Sequence, residues 1–226
     1  MAAVLLAGLA AGTINTVVGS GTLITFPTLL AFGVPPVTAN VSNTIGLVPG
    51  VASGVWGYRR ELEGQRGRAI RLGSASLLGG ALGAVLLLSL PSSAFSAIVP
   101  ALIVVGLLLV VLQPRISAWV DAHHEGARAA NGPWWVWPAV LLSGVYGGYF
   151  GAAQGMIIMG VLGIGIAGVI FALVADVDWT VVLLLAVGSV IGGQIGATVG
   201  RRLPPLGLRI VIVVIGLVAL AVFLLR

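Results

Sequence analysis

Of 226 residues, 59% are hydrophobic and 8% charged, against roughly 25% charged in soluble domains, which excludes a globular domain solvated by water. The net charge of +5 rests on Arg alone, with no Lys, and Arg beside apolar runs marks cytoplasmic membrane loops rather than a nucleic-acid surface. Without a cysteine there are no disulfides, thiolate metal sites or Cys nucleophiles.

Charges gather in a few clusters and leave uncharged runs at 1–58, 72–114, 129–175, 179–200 and 210–225. About 20 apolar residues span a bilayer, so these runs hold several crossings. They are continuously apolar rather than alternating, which favours helices over an outer-membrane barrel. The opening MAAVLLAGLAAG lacks a positive n-region and runs on to Tyr58, so it reads as a retained first helix rather than a leader. Within this run Gly12, Gly19, Gly21, Pro27, Pro35 and Pro36 predict broken helices, tolerated at membrane depth only where the freed backbone is buried in protein or lines a watery cavity.

The stretch RRELEGQRGRAIR, 59–71, is expected at the cytoplasmic face. Two spans follow, 72–90 and 94–112, joined by Pro91-Ser92-Ser93. Residues 113–132 form the longest polar stretch, read as a cytoplasmic linker between a first transmembrane repeat, 1–112, and a second, 133–226. Within it, His123-His124-Glu125 has no third ligand at zinc-like spacing, so no metal is expected. Asp176 and Asp178, beside Trp179, read as an exposed outer loop in preference to intramembrane proton carriers. The last spans are 180–200 and 206–225, joined at Pro204-Pro205, where Arg201, Arg202 and Arg209 form a second basic cluster also expected at the cytoplasmic face; Trp134, Trp135, Trp137 and Trp179 stand at span ends, where amphipathic rings favour the interface. No HExxH, P-loop or GxSxG pattern occurs, so no enzyme and no cofactor are expected.

The two halves repeat each other. SLLGGALGA (76–84) matches SVIGGQIGA (189–197) at five of nine positions, and Leu90-Pro91 matches Leu203-Pro204, both at a spacing of 113. Residues 12–33 align with 144–165 at a spacing of 132, three glycines in register. The Arg-rich loop then corresponds to the acidic loop 176–178, so the repeats are expected to be inverted, a pattern of secondary transporters with a substrate site near the midplane. The two spacings differ by 19, which points to about 19 residues missing near 165–168, by deletion or absence from the chain as given; a genuinely shortened helix is the alternative.

Candidate binding residues cluster at the breaks. Asn15, Gly19, Ser20, Gly21, Thr22 and Thr25 surround the first, Asn40, Ser42, Asn43 and Thr44 follow the prolines, and Tyr146, Tyr149, Gly151 and Gln154 stand in the second half. Amides, hydroxyls and exposed helix N-termini can hold a small oxyanion without placing a full charge in lipid. For Asn15, Asn40, Asn43 and Gln154, substrate contact and interhelical hydrogen bonding stand open side by side. Gly79, Gly80, Gly83, Gly192, Gly193 and Gly196 instead read as close-packing positions.

In AGTINTVVGSGTLITFPTLLAFGVPPVTANVSNTIG (11–46), its echo GVYGGYFGAAQG (144–155), the RREL loop and the closing GRRLPP (200–205), the chain resembles the sulfite exporter TauE/SafE family of membrane transporters. The resemblance implies movement of sulfite, sulfonates or related sulfur-containing anions across the bacterial plasma membrane. The second half departs from the pattern: Ala152-Ala153 replaces a fuller glycine cluster and the polar stretch after it is absent. The combined expectation is a multi-pass, all-α secondary transporter of the inner membrane, working by alternating access on a small oxyanion such as sulfite or sulfoacetate. Its partners are that anion, a coupling proton or sodium ion, and the lipid bilayer, with no nucleic acid. An anion channel and a non-transporting membrane scaffold are the alternatives.

Overall fold

A computed structural model of the chain describes residues 1–60, 63–64, 66–122, 135–151, 157–199 and 205–224. Among these the regular structure is entirely helical: α1 (Ala2–Val17), α2 (Thr22–Ala31), α3 (Pro36–Gly57), α4 (Arg66–Ser89), α5 (Ser92–Ala122), α6 (Val136–Phe150), α7 (Ile157–Val174), α8 (Trp179–Val199) and α9 (Pro205–Leu224). Among the described residues three segments are long and apolar enough to cross a membrane, Gly67–Ser89, Ser92–Ile116 and Trp179–Val199.

The helix ends follow from local chemistry. Gly19 and Gly151 adopt φ of +80° and +76°, a left-handed conformation that glycine enters without the Cβ penalty. They stand 132 residues apart, the spacing of the aligned halves, so both expected breaks have the same backbone origin. At the end of α2, Gly33 is also left-handed; its N–H donates to Leu30 O and that of Val34 to Leu29 O, satisfying carbonyls the helix leaves over. Pro36 then opens α3, where a missing N–H costs nothing. The α4–α5 turn falls at Pro91 as expected, and α4 and α8, like α5 and α9, begin 113 residues apart.

α5 runs past Leu112 to Ala122, so residues 113–122 of the polar stretch are helical: lost hydropathy ends a membrane span but leaves the i to i−4 hydrogen-bond ladder intact. His123, His124 and Glu125 lie outside the described residues, as do Arg201, Arg202 and Trp134. α7 passes through 165–168 without interruption.

Glycine faces bring the helices together. A Cβ on Gly192 would stand 2.1 Å from Leu9 O, and one on Gly79 2.3 Å from Leu141 O; on Gly193 it would meet Gly50 O, and on Gly80 Gly163 O. Gly188 meets Leu5 and Leu9, Gly192 meets Leu9 and Thr13, and Gly196 meets Thr13 and Thr16. The numbers rise together, so α1 and α8 run parallel. α6 lies along α4 in the same sense, with Leu141 and Gly144 against Gly79 and Val145 and Tyr149 against Gly83. Such small-residue faces let backbones approach closely where lipid supplies no hydrophobic drive between helices. Outward from these contacts, Leu78, Leu82, Val85, Leu108 and Val214 are exposed, the apolar exterior that a lipid solvent requires.

Candidate functional site

Ten polar side chains are buried among the described residues, and eight of them fall within 16–44. The first break collects them because α1 cannot continue. Gly19 turns the chain back, and Gly21 packs so closely on α1 that a Cβ there would sit 2.6 Å from Ala11 O. The Gly21 N–H, freed by the break, donates to Asn15 Oδ1 at 3.3 Å. Asn15 thus holds the turn, and α2 starts at Thr22 with no side-chain cap.

From Thr22 a network crosses between the halves. Thr22 Oγ1 donates to Gly151 O at 2.6 Å and accepts from Asn43 Nδ2 at 3.0 Å. The hydroxyl of Thr25 bonds to Asn43 Oδ1. One turn earlier on α3, Asn40 Nδ2 donates to Tyr149 O at 2.9 Å. Gly151 faces the hydroxyls directly: a Cβ on it would stand 3.1 Å from Thr44 Oγ1 and 3.3 Å from Thr22 Oγ1. The N-terminus of α2 therefore meets the carbonyl end of α6 through Thr22, and from α3 Asn43 holds the first and Asn40 the second. Beneath this layer the rings of Phe26, Phe95 and Phe150 are fully buried, Phe26 meeting the other two edge-on. This floor fixes α2, α5 and α6 against one another.

Two buried polar atoms in this layer have no partner, Ser20 Oγ and Asn40 Oδ1, and neither has the hydroxyl of Tyr149, whose ring packs on Phe95 in the floor. Ser20 and Asn40 are 1% and 0% exposed, and unsatisfied groups at such depth are rare because each costs roughly 1–3 kcal/mol. They mark where something polar belongs.

Of the residues expected at the site, Gly19, Ser20, Gly21, Thr22, Asn40, Asn43 and Gly151 come together here, with Asn15 bracing the turn. Ser42 instead accepts from the Asp178 N–H at 3.0 Å and ties α3 to the start of α8. Tyr146 sends its hydroxyl to Leu102 O on α5 at 2.8 Å, beside the aromatic floor. Gln154 lies outside the described residues. Asp178, read from the sequence as part of an exposed loop, caps α8, its Oδ1 accepting from the N–H groups of Thr180 and Val181. Thr25 and Thr44 belong to the network; the i, i+3 spacing of Thr22 and Thr25 is the signal that aims both at α3. Ser189, which donates to Gly46 O at 2.9 Å, was signalled by its match to Ser76 across the repeat.

Charge-free, polar at a broken helix and apolar outside, this arrangement defines a polytopic helical membrane protein whose polar centre sits between its two halves. The sequence profile of the sulfite exporter TauE/SafE family matches residues 4–166, well over half of the chain, and the chain belongs to that family. A curated relative from Sinorhizobium sp, a "Probable membrane transporter protein ORF9", is 28% identical over 219 residues, covering 87% of this chain and 82% of its own. No solved structure matches. The protein is a membrane transporter, as the resemblance in its sequence led us to expect, and family and relative alike point away from an enzyme.

Proposed function

We propose that the protein is a secondary transporter of the bacterial inner membrane that carries a small sulfur-containing oxyanion, such as sulfite or sulfoacetate, by alternating access. The observation that carries this reading is the buried, uncharged set at the first break. Ser20 has a free hydroxyl, the Asn40 and Asn43 amides each keep a second N–H, and the N-terminus of α2 adds partial positive charge, its Gly21, Leu23 and Ile24 N–H groups already donating to Asn15 Oδ1, Ser20 O and Gly21 O. Together these suit an anion that must be desolvated without a counter-charge in lipid. Gln154, five residues after Tyr149, is the second half's candidate to complete the site.

Alternating access requires two units that can rock about the site, and the packing supports inverted repeats. α1 pairs with α8 as α6 pairs with α4, at the same two spacings of 132 and 113. α3 also runs parallel to α8, with Gly46 against Val182, Gly50 against Ser189 and Gly57 against Ala197. α3 joins α4 through the short Arg-rich connection, which favours opposite directions for these two. On that basis α1, α3 and α8 point one way and their counterparts α6 and α4 the other. Gly163 meets Gly80 as Gly50 meets Gly193, and 50 and 163 differ by 113. This favours placing the 19-residue shortfall between Gly151 and α7, where it removes the counterparts of α2 and of the first turns of α3.

The test is flux of sulfite and sulfoacetate into proteoliposomes. Saturable uptake, reduced at least roughly tenfold in Asn43→Ala, is expected if the network binds the anion, a loss equivalent to about 1.4 kcal/mol. Linear, unsaturable conductance in planar bilayers would identify a channel instead, and an absence of both flux and conductance would leave a scaffold.

A further inference from the structure

An anion cannot satisfy every orphaned atom at the break. Tyr149 O only accepts, so the Asn40 atom facing it at 2.9 Å is the amide nitrogen, and the buried atom left without a partner is the carbonyl Oδ1. That oxygen has nothing to donate. It lies one hydrogen bond from the carbonyl end of α6, where Gly151 has left the helix and the macrodipole is negative. The second orphan, Ser20 Oγ, sits two residues before Thr22, whose hydroxyl is held on Gly151 O. At the same turn α1 ends, Ile14 O and Asn15 O accepting from the N–H groups of Val18 and Gly19, so a second helix C-terminus with its negative dipole end adjoins the break. The surplus chemistry is thus oxygen acceptors beside two helix C-termini.

We propose that this surplus is a binding site for a dehydrated monovalent cation, formed by Asn40 Oδ1, Ser20 Oγ and the second lone pairs of Tyr149 O and Gly151 O, whose first ones accept from Asn40 Nδ2 and Thr22 Oγ1. Its ligands are all neutral, whereas divalent hard cations draw on carboxylates, and no group of three His, Cys, Asp or Glu occurs among the described residues. A proton has no carboxylate or imidazole to reside on here, since residues 1–58 contain no Asp, Glu or His and the titratable side chains of α6, Tyr146 and Tyr149, are phenols. Unwound carbonyls and half-helix C-termini are the groups by which a broken-helix site holds a cation next to an anion held at an N-terminus. The adjacent N-terminus of α2 supplies the second pole, so cation and anion would neutralise each other across the break. Cation binding itself stands independently of the transport reading; only its role as the coupling ion rests on it.

The experiment is thermal unfolding of the whole protein in detergent, in NaCl, KCl, LiCl and choline chloride at equal ionic strength, with no sulfur anion added. The expected result is a saturable rise in midpoint with one of the small cations and none with choline. Ser20→Ala, which removes no hydrogen bond the fold uses, is expected to raise the half-saturating concentration roughly tenfold, the loss of one neutral ligand. Ser89→Ala, on the exposed side of α4, should leave it in place. Equal midpoints in all four salts, as an ordered water at the same position would give, overturn the proposal, and so does a Ser20→Ala response identical to the parent. In a second arm with sulfite added, a midpoint rise equal in all four salts, with no cation-dependent rise in the first arm, would overturn the cation site while leaving the anion reading intact. A cation response lost in Ser20→Ala without any sulfite response would support the cation site and count against the anion.

Discussion

At the scale of single residues, the site depends on one glycine as much as on its asparagines. Gly151 supplies the left-handed turn that ends α6 and leaves its carbonyl to Thr22. Any side chain there would press on the Thr22 and Thr44 hydroxyls. Gly151→Ala is therefore expected to lower stability by roughly 1–2 kcal/mol from backbone strain and to impair flux by displacing Thr22. Gly64 provides the comparison: its φ is +81° with nothing within 4 Å of an added Cβ, so Gly64→Ala carries the strain alone and should transport normally. Unfolding midpoints and proteoliposome flux on the two variants separate the terms. The composition of the site was legible in the sequence, because uncharged polar residues beside Gly and Pro have few other reasons to stand in an apolar run. Their partners were not. Nothing in the sequence says that Asn40 reaches Tyr149 O, that Tyr146 spends its hydroxyl on α5, or that Ser42 holds the Asp178 N–H, since each pairing depends on tertiary approach across more than forty positions.

At the scale of helices, packing is decided by where a Cβ is absent. Gly79 and Gly192 occupy equivalent positions and each stands against a neighbouring backbone carbonyl, whereas Gly165 on α7 has nothing within 4 Å. Gly192→Ala and Gly79→Ala must each push two helices apart, and are expected to cost roughly 1–3 kcal/mol as overpacking does. Gly165→Ala should be neutral or slightly stabilising, since alanine is the better helix former. Thermal midpoints in one detergent check all three, and equal effects would deny that the glycine faces hold the halves together. The repeated GG-x-x-G pattern made these positions readable in advance, because small residues at helical spacing have a local periodicity. The end of α5 did not, since hydropathy reports the solvent around a helix rather than its hydrogen bonding. The register of α7 against α4 was hidden for a related reason: apolar glycine-rich segments align nearly as well at several registers, and the approach of Gly163 to Gly80 comes only from tertiary packing.

At the scale of the whole molecule, the transport reading needs the two halves to face opposite sides of the membrane, and the chain offers a direct test. Glu63 and Asp176 are counterparts at the spacing of 113, and both are exposed. One belongs to the Arg-rich connection before α4 and the other to the acidic connection before α8. The excess of Arg assigns the first to the cytoplasm; inversion then requires the second to lie outside. With no native cysteine, Glu63→Cys and Asp176→Cys each introduce a single reactive thiol at an exposed position, free of the hydrogen bonds that hold Asp178. A membrane-impermeant maleimide added to intact cells should label Asp176→Cys at once and Glu63→Cys only after the membrane is opened. Labelling of both from the same side would mean that equivalent loops share a face. The pairing of α1 with α8 and of α6 with α4 would then be a matter of packing alone, and the polar layer at Gly19 and Gly151 would lose the two-sided access that carrying a solute demands.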